Sequence, residues 1–320
     1  ASVLCAAAPV FWVLLVGRGL QGLGAGMLMS CGPALLTTSV PPAQRGRVLG
    51  VVSTATYTGL TLGPPLAGFL VEAVGWQGVF GAGVVLGAAV LVPTLRLRRE
   101  EGGRPPRAAL TAELRMFRSP VFSGTMAAAV LLYAAIFITT MLIPFYLEEG
   151  LFLRPDQVGT VLMAQPLVMA VSASPAGWFS DRIGTRGLAA GGMLTCAGAL
   201  GSMGLLFDGG TSLWLVAVPL VVLGLGCGLF VSPNSSALMG AADVKAQGSA
   251  GAMLAIARTV GMFLGISLAT GVFSLAGGAP RGRWGAGEFH AFGTALAVGA
   301  GIMLVGAMIS ALRGEPGTVR

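Results

Sequence analysis

Uncharged apolar runs, broken by short stretches that hold almost every charge, make the pattern of this chain. Runs long enough to cross a bilayer as helices occupy residues 10–40, 48–71, 78–95, 121–147, 157–180, 187–207, 212–240, 246–276 and 290–312. They predict nine membrane-spanning helices, preceded by a stub over residues 1–8. One run stands out: residues 58–68, Thr-Gly-Leu-Thr-Leu-Gly-Pro-Pro-Leu-Ala-Gly. Gly59 and Gly63 predict a face on which a neighbouring helix approaches backbone to backbone, while Pro64 and Pro65 lack the N–H groups of a regular ladder and predict a kink.

The stretches between runs set the orientation. With the Arg45/Arg47 loop on the cytoplasmic side, fourteen of the 19 Lys and Arg residues face the cytoplasm, and Arg154, Arg281 and Arg283 face outward. Retention of basic residues on the inner side produces such a bias. The two that remain, Arg18 and Arg258, fall inside predicted spans.

The chain divides at residues 96–119, the one long cytoplasmic segment. Leu110, Leu114, Phe117 and Val121 recur at helical spacing, with Arg107, Arg115 and Arg118 beside them. The segment reads as a flexible linker closing in a short amphipathic helix on the inner leaflet, or as a plain solvated basic loop. It separates an N-terminal bundle, 1–95, from a six-helix C-terminal bundle, 120–320.

The two parts repeat each other. A shift of 202 positions superposes Gly22, Gly24, Gly26, Ser30, Leu36, Gly46, Gly59 and Gly63 on Gly224, Gly226, Gly228, Ser232, Leu238, Gly248, Gly261 and Gly265. An even shift in helix number makes the repeats parallel, related by an axis along the membrane normal. By the same register, 1–95 is an incomplete bundle, from the end of a third helix to a sixth. Two whole helices and most of a third are expected ahead of Ala1, twelve in the intact protein.

Composition agrees with an integral membrane protein: among 320 residues, 55% are hydrophobic, 10% are charged and the mean hydropathy is +0.84, too few charges to cover a soluble globule. The net charge of +7 lies in short loops and not on a patterned face, so no nucleic-acid partner is expected. Cys5, Cys31, Cys196 and Cys227 are scattered singly, without metal-ligand spacing, and neither metal nor cofactor is expected. The single histidine, His290, sits at the mouth of the last span, and no carboxylate lies within any run, which disfavours an intramembrane hydrolase.

Arg18 lies some eight residues into its span. An arginine at that depth costs roughly 2.5–3.5 kcal/mol on insertion scales, which points to a cavity or an acidic partner. Gly17-x-Gly19-x-x-Gly22 matches a dinucleotide-binding pattern by spacing alone, since it lies inside an apolar span and not at a strand-to-helix turn. Arg258 raises the same cost in its own span and points to the cavity or a helix interface, with pairing to a cytoplasmic carboxylate as the structural alternative. Between two spans, Gly177-Trp-Phe-Ser-Asp181-Arg182-Ile-Gly184-Thr-Arg186 predicts a tight cytoplasmic turn, with Asp181 capping the next helix. Polar and aromatic side chains at helical spacing, Thr54, Thr58 and Thr61, Tyr133, Phe137 and Thr140, then Met163, Gln165 and Asn234, are cavity candidates alongside Arg258.

These residues resemble the major facilitator superfamily, and within it the multidrug:proton antiporter branch. Gly59-x3-Gly63-Pro64-x2-Ala67-Gly68 is similar to that branch's fifth-helix antiporter motif, with Ala67 in place of a glycine. Leu15 to Gly24 is similar to the fourth-helix motif, in which Arg18, Gln21 and Gly22 match, and Gly177 to Arg186 is similar to the second-half copy of the Gly-x3-Asp-Arg-x-Gly-x-Arg turn. The resemblance implies an all-α major facilitator fold in the plasma membrane, monomeric when full length, working by alternating access. It implies a drug or small-molecule exporter, not an enzyme, with the lipid bilayer, protons and a small-molecule substrate as its partners. Arg18 and Gln21 would serve proton coupling, and Gly177, Asp181, Arg182, Gly184 and Arg186 a cytoplasmic gate. Export of one metabolite or natural product is the nearest alternative, and a non-transporting receptor on the same scaffold a more distant one.

Overall fold

A computed structural model of the chain describes residues 1–38, 45–95, 116–242, 247–279 and 284–314. In order they form α1 (Ser2–Ala6), α2 (Phe11–Thr38), α3 (Arg45–Val74), α4 (Trp76–Leu95), α5 (Pro120–Phe145), α6 (Pro155–Leu162), α7 (Ala164–Ile183), α8 (Thr185–Leu206), α9 (Leu213–Ala241), α10 (Gln247–Leu275) and α11 (Ala286–Leu312). Among the described residues there is no strand. Each of the nine expected spans is helical; eight are long and apolar enough to cross a membrane, and in the ninth, α3, the described apolar portion is Thr61–Val74. Of the expected linker, residues 96–115 lie outside the described residues, Leu110 and Leu114 of the expected amphipathic helix among them, while Phe117 lies in a turn and Val121 in α5.

Local chemistry places the ends and interruptions. Ser119 caps α5, its Oγ accepting from the Phe122 N–H at 3.4 Å, with Pro120 in the first turn where a missing N–H costs nothing. Pro144 lies near the other end, and a single π turn, Tyr146–Gly150, closes the helix. The span expected over 157–180 is two helices meeting at Met163, because Pro166 has no N–H to give the Leu162 carbonyl. In α3 the helix runs on through Pro64 and Pro65 to Val74, so the two prolines, where a kink is expected, do not end it.

The buried core lies among α5, α8, α9 and α11, where Leu132, Met193, Leu200, Leu220, Phe230 and Phe292 are fully enclosed. α8 packs along both α9 and α11, α9 also along α7, and α5 along α10 and α11. By contrast α4 buries none of its residues, an apolar helix whose sides face outward. The sequence repeat has a structural counterpart: α2 and α9 begin at Phe11 and Leu213, 202 positions apart, as do α3 and α10 at Arg45 and Gln247.

Packing of the repeated glycines is unequal. An added Cβ at Gly261 meets the Val130 carbonyl at 2.5 Å and Tyr133 Cβ at 2.8 Å, and one at Gly265 meets Phe137 Cβ at 2.9 Å, so α10 lies backbone to backbone on α5. At Gly59 and Gly63 an added Cβ meets nothing within 4 Å among the described residues. The packing face expected at Gly59 and Gly63 is therefore occupied in the second copy and open in the first.

In α9 the Gly-x-Gly-x-Gly run packs two ways. Gly224 and Gly228, one turn apart, admit Val168, Ser172 and the Gln165 carbonyl of α7, whereas Gly226, about 200° round the helix, admits Gly192 and Cys196 of α8.

Candidate functional site

The motif in α3 meets the chain at α6. An added Cβ at Gly159 would strike the Pro64 carbonyl and stand 2.9 Å from Pro65 Cα; one at Gly68 would strike the Pro155 carbonyl and stand 3.3 Å from Asp156 Cα. The close approach thus runs through Pro64, Pro65 and Gly68, not through Gly59 and Gly63. Ala67 is half-buried beside this contact. Just beyond it Arg154, ahead of α6, binds Asp156 through Nη2 at 2.7 Å and Nε at 3.2 Å and reaches Glu72 of α3 at 3.7 Å. Sequence reasoning missed Pro155 and Gly159, whose small size beside a bend was the available signal.

Arg18 donates through Nη1 to Gln21 Oε1 at 2.8 Å, one turn along α2, and its guanidinium lies 5.8 Å from the centre of the Phe80 ring on α4. Gln21 passes the link on, donating through Nε2 to Ser2 Oγ at 2.9 Å. The side chain of Arg18 is exposed, and a ring at this distance contributes about 0.5–1 kcal/mol, less than the cost of placing the charge at that depth. Gly17, Gly19 and Gly22 lie inside continuous helix, which excludes the strand-to-helix turn of a dinucleotide site.

At the turn after α7, Gly177 admits Ser232 of α9, whose Oγ would lie 2.7 Å from an added Cβ. Arg182 stacks on Trp178 at 3.8 Å, and Arg186 is exposed in the first turn of α8. Gly184 takes φ 90°, a conformation side chains disfavour, and this residue is the N-cap of α8. Asp181, expected to cap that helix, stands in the last turn of α7, and its side chain lies outside the described residues.

The cavity candidates scatter. Thr54 lies on α3 with its side chain outside the described residues, while Thr58 is exposed and Thr61 buried. Thr140 turns its hydroxyl to the Ile136 carbonyl at 3.0 Å. Met163 and Gln165 are half-buried at the α6–α7 junction, with the Gln165 carbonyl against α9. Tyr133 and Arg258 come together, the guanidinium 5.3 Å from the ring centre, and Phe137 lies one turn along α5. Arg258 Nε is buried without a hydrogen-bond partner among the described residues.

Asn234, expected on a cavity wall, is enclosed instead. Its Nδ2 donates to the Thr125 carbonyl at 3.2 Å, and its Oδ1 accepts from Arg313 Nη1 at 2.5 Å. The same Nη1 reaches Thr125 Oγ1 at 2.8 Å. These bonds join α5, α9 and the end of α11. In the sequence Arg313 reads as an ordinary loop cation; nothing local signals that it folds back under α11.

Residues 1–266 and 125–319 match the family described as Major Facilitator Superfamily. Riboflavin transporter RibZ of Clostridioides difficile (strain 630) is 25% identical over 85% of this chain and 71% of its own length. Methylenomycin A resistance protein of Streptomyces coelicolor is 26% identical over 83% and 68%. Multidrug resistance protein Stp of Mycobacterium tuberculosis is 24% identical over 83% and 60%, so the chain spans under two thirds of that protein. Among solved structures, a D-xylose-proton symporter superposes with a TM-score of 0.77 at 15% identity, over 97% of this chain and 73% of that one. A bacterial homologue of the human lysosomal transporter Spinster, inward-facing and occupied, superposes with 0.74 at 16% identity, over 98% and 79%. At such identities the structures speak for the fold.

Proposed function

Because the chain belongs to the Major Facilitator Superfamily, a family of membrane transporters and not of enzymes, we propose that it exports drugs or other small amphipathic molecules by alternating access, in exchange for protons. The observation that carries this reading is the close approach of Pro64, Pro65 and Gly68 in α3 to Pro155 and Gly159 in α6. It sets the antiporter-motif residues on the surface joining the two parts of the chain, where a backbone contact without intervening side chains can close or part as a unit.

In this reading residues 1–95 and 120–320 are two bundles that rock about the linker 96–119 in the plasma membrane of a monomer. Arg18, held by Gln21, biases proton movement, while Gly177, Asp181, Arg182, Gly184 and Arg186 form the cytoplasmic gate. Thr54, Thr58, Tyr133, Phe137, Met163, Gln165 and Arg258 contribute to the cavity for the transported molecule. Resistance proteins among the relatives support a drug as cargo.

Everted vesicles carrying the full-length gene product test it. Acidifying their interior should drive uptake of the neutral dye Nile red that a protonophore abolishes, and Arg18→Ala should abolish uptake while leaving expression intact. Undiminished uptake by Arg18→Ala removes the proton-coupling role. Export of one metabolite is the second reading, favoured by the relative named a riboflavin transporter. Competition by that one compound, and not by unrelated dyes, would select it.

A further inference from the structure

Arg258 presents a cation within a span, and among the described residues no carboxylate forms a salt bridge with it. No Asp or Glu occurs in any of the nine apolar runs, and among the described residues both salt bridges belong to Arg154. What Arg258 does have is the face of Tyr133 at 5.3 Å, and an Nε that is buried and without a hydrogen-bond partner among the described residues. A ring quadrupole attracts a cation without neutralising it, so the charge keeps its pull on an anion in a medium that screens poorly. The guanidinium is planar and forked, the shape that meets a carboxylate, sulfonate or phosphate with paired bonds.

The surroundings hold that cation in place. Gly261, one turn along α10, lets the helix close on Val130 and Tyr133, and Gly265 does the same at Phe137, so no side chain separates the two helices beside Arg258. Arg258 as a whole is half-buried. Tyr133 and Phe137 lie on the same face of α5, two half-buried rings beside the charge.

We propose that Arg258, set against Tyr133, binds the anionic group of the transported molecule, and that this protein therefore handles organic anions in preference to organic cations. The inference rests on the exporter reading and adds the charge class of its cargo.

Two dyes built on one xanthene core, fluorescein and cationic rhodamine 6G, separate charge from shape. Fluorescence anisotropy with the full-length protein in nanodiscs should show tighter binding of fluorescein. Arg258→Gln should weaken fluorescein by about tenfold or more, the loss expected for a hydrogen bond to a charged group, and leave rhodamine 6G within about twofold. Arg258→Lys, which keeps the charge but not the paired bonds, should recover only part of the fluorescein loss. Equal binding of the two dyes by the unaltered protein, or an equal loss of both in Arg258→Gln, overturns the proposal. Without any variant, naphthalenesulfonate should displace fluorescein and tetraphenylphosphonium should not; displacement by both alike also overturns it. Vesicle uptake tells the two readings apart. Proton-driven uptake of rhodamine 6G with no preference for fluorescein sinks the anion site alone, whereas Arg258-dependent fluorescein binding without uptake of either dye sinks the exporter reading alone.

Discussion

Arg154 Nε stands 3.7 Å from Glu72 Oε1, tying the segment ahead of α6 to the last turns of α3. The tie is loose: the two side chains are 65% and 38% exposed, and Arg154 gives its shorter contact, 2.7 Å, to Asp156. An exposed pair of this kind is screened by water and contributes little. A double-mutant cycle of Glu72→Gln and Arg154→Gln on thermal stability should give a coupling close to zero, and none in high salt. A larger coupling would show that charge, and not backbone packing, holds this contact.

The packing beneath that pair should matter more. Gly159→Ala forces a methyl into the Pro64 carbonyl, and neither backbone can give way as a flexible side chain would. Overpacking of this kind costs roughly 1–3 kcal/mol. A lowered melting midpoint in detergent, with a matching fall for Gly68→Ala, is the expected result.

The two copies of the Gly-x3-Gly spacing should answer differently to the same change. In this chain Gly261→Ala and Gly265→Ala push α10 off α5 and should each destabilise by roughly 1–3 kcal/mol, while Gly59→Ala and Gly63→Ala meet nothing within 4 Å and should be near neutral. Denaturant titration of the four variants reads the contrast directly. Equal losses would mean that Gly59 and Gly63 are covered in the bilayer.

Asn234→Leu removes one acceptor from Arg313 and one donor from the Thr125 carbonyl, both buried. Leaving a buried charge short of a partner should cost about 2–4 kcal/mol, with no change in which dyes are bound. Altered dye selectivity at unchanged stability would return Asn234 to the cavity wall.

What sequence reasoning reached and what it missed divide along a physical line. Apolar run length located all nine helical spans, because span length and the demand for internal backbone bonding act within each segment. The 202-residue register aligned α2 with α9 because the repeat is written in the glycines themselves. Pairings between distant segments were not legible. Nothing near Gly59 says that its face is open here while Gly261 is closed, and nothing near Pro64 points to Gly159. Asn234 looked like a cavity residue because its burial depends on Arg313, 79 positions away. The boundary at Thr185 is set by the positive φ of Gly184, a backbone property that the glycine permits but does not by itself announce.

The three alternating glycines of α9 have a mechanical consequence. Gly224 and Gly228 seat the helix on α7 while Gly226 seats its opposite side on α8, so turning α9 about its own axis would unseat both sides at once. A helix wedged in this way behaves as a keyed shaft: it can tilt or travel only with its neighbours. Whatever motion carries a molecule past this part of the chain must therefore move α7, α8 and α9 together, and the pliable elements must be sought at the junctions, Met163 and Gly184 among them.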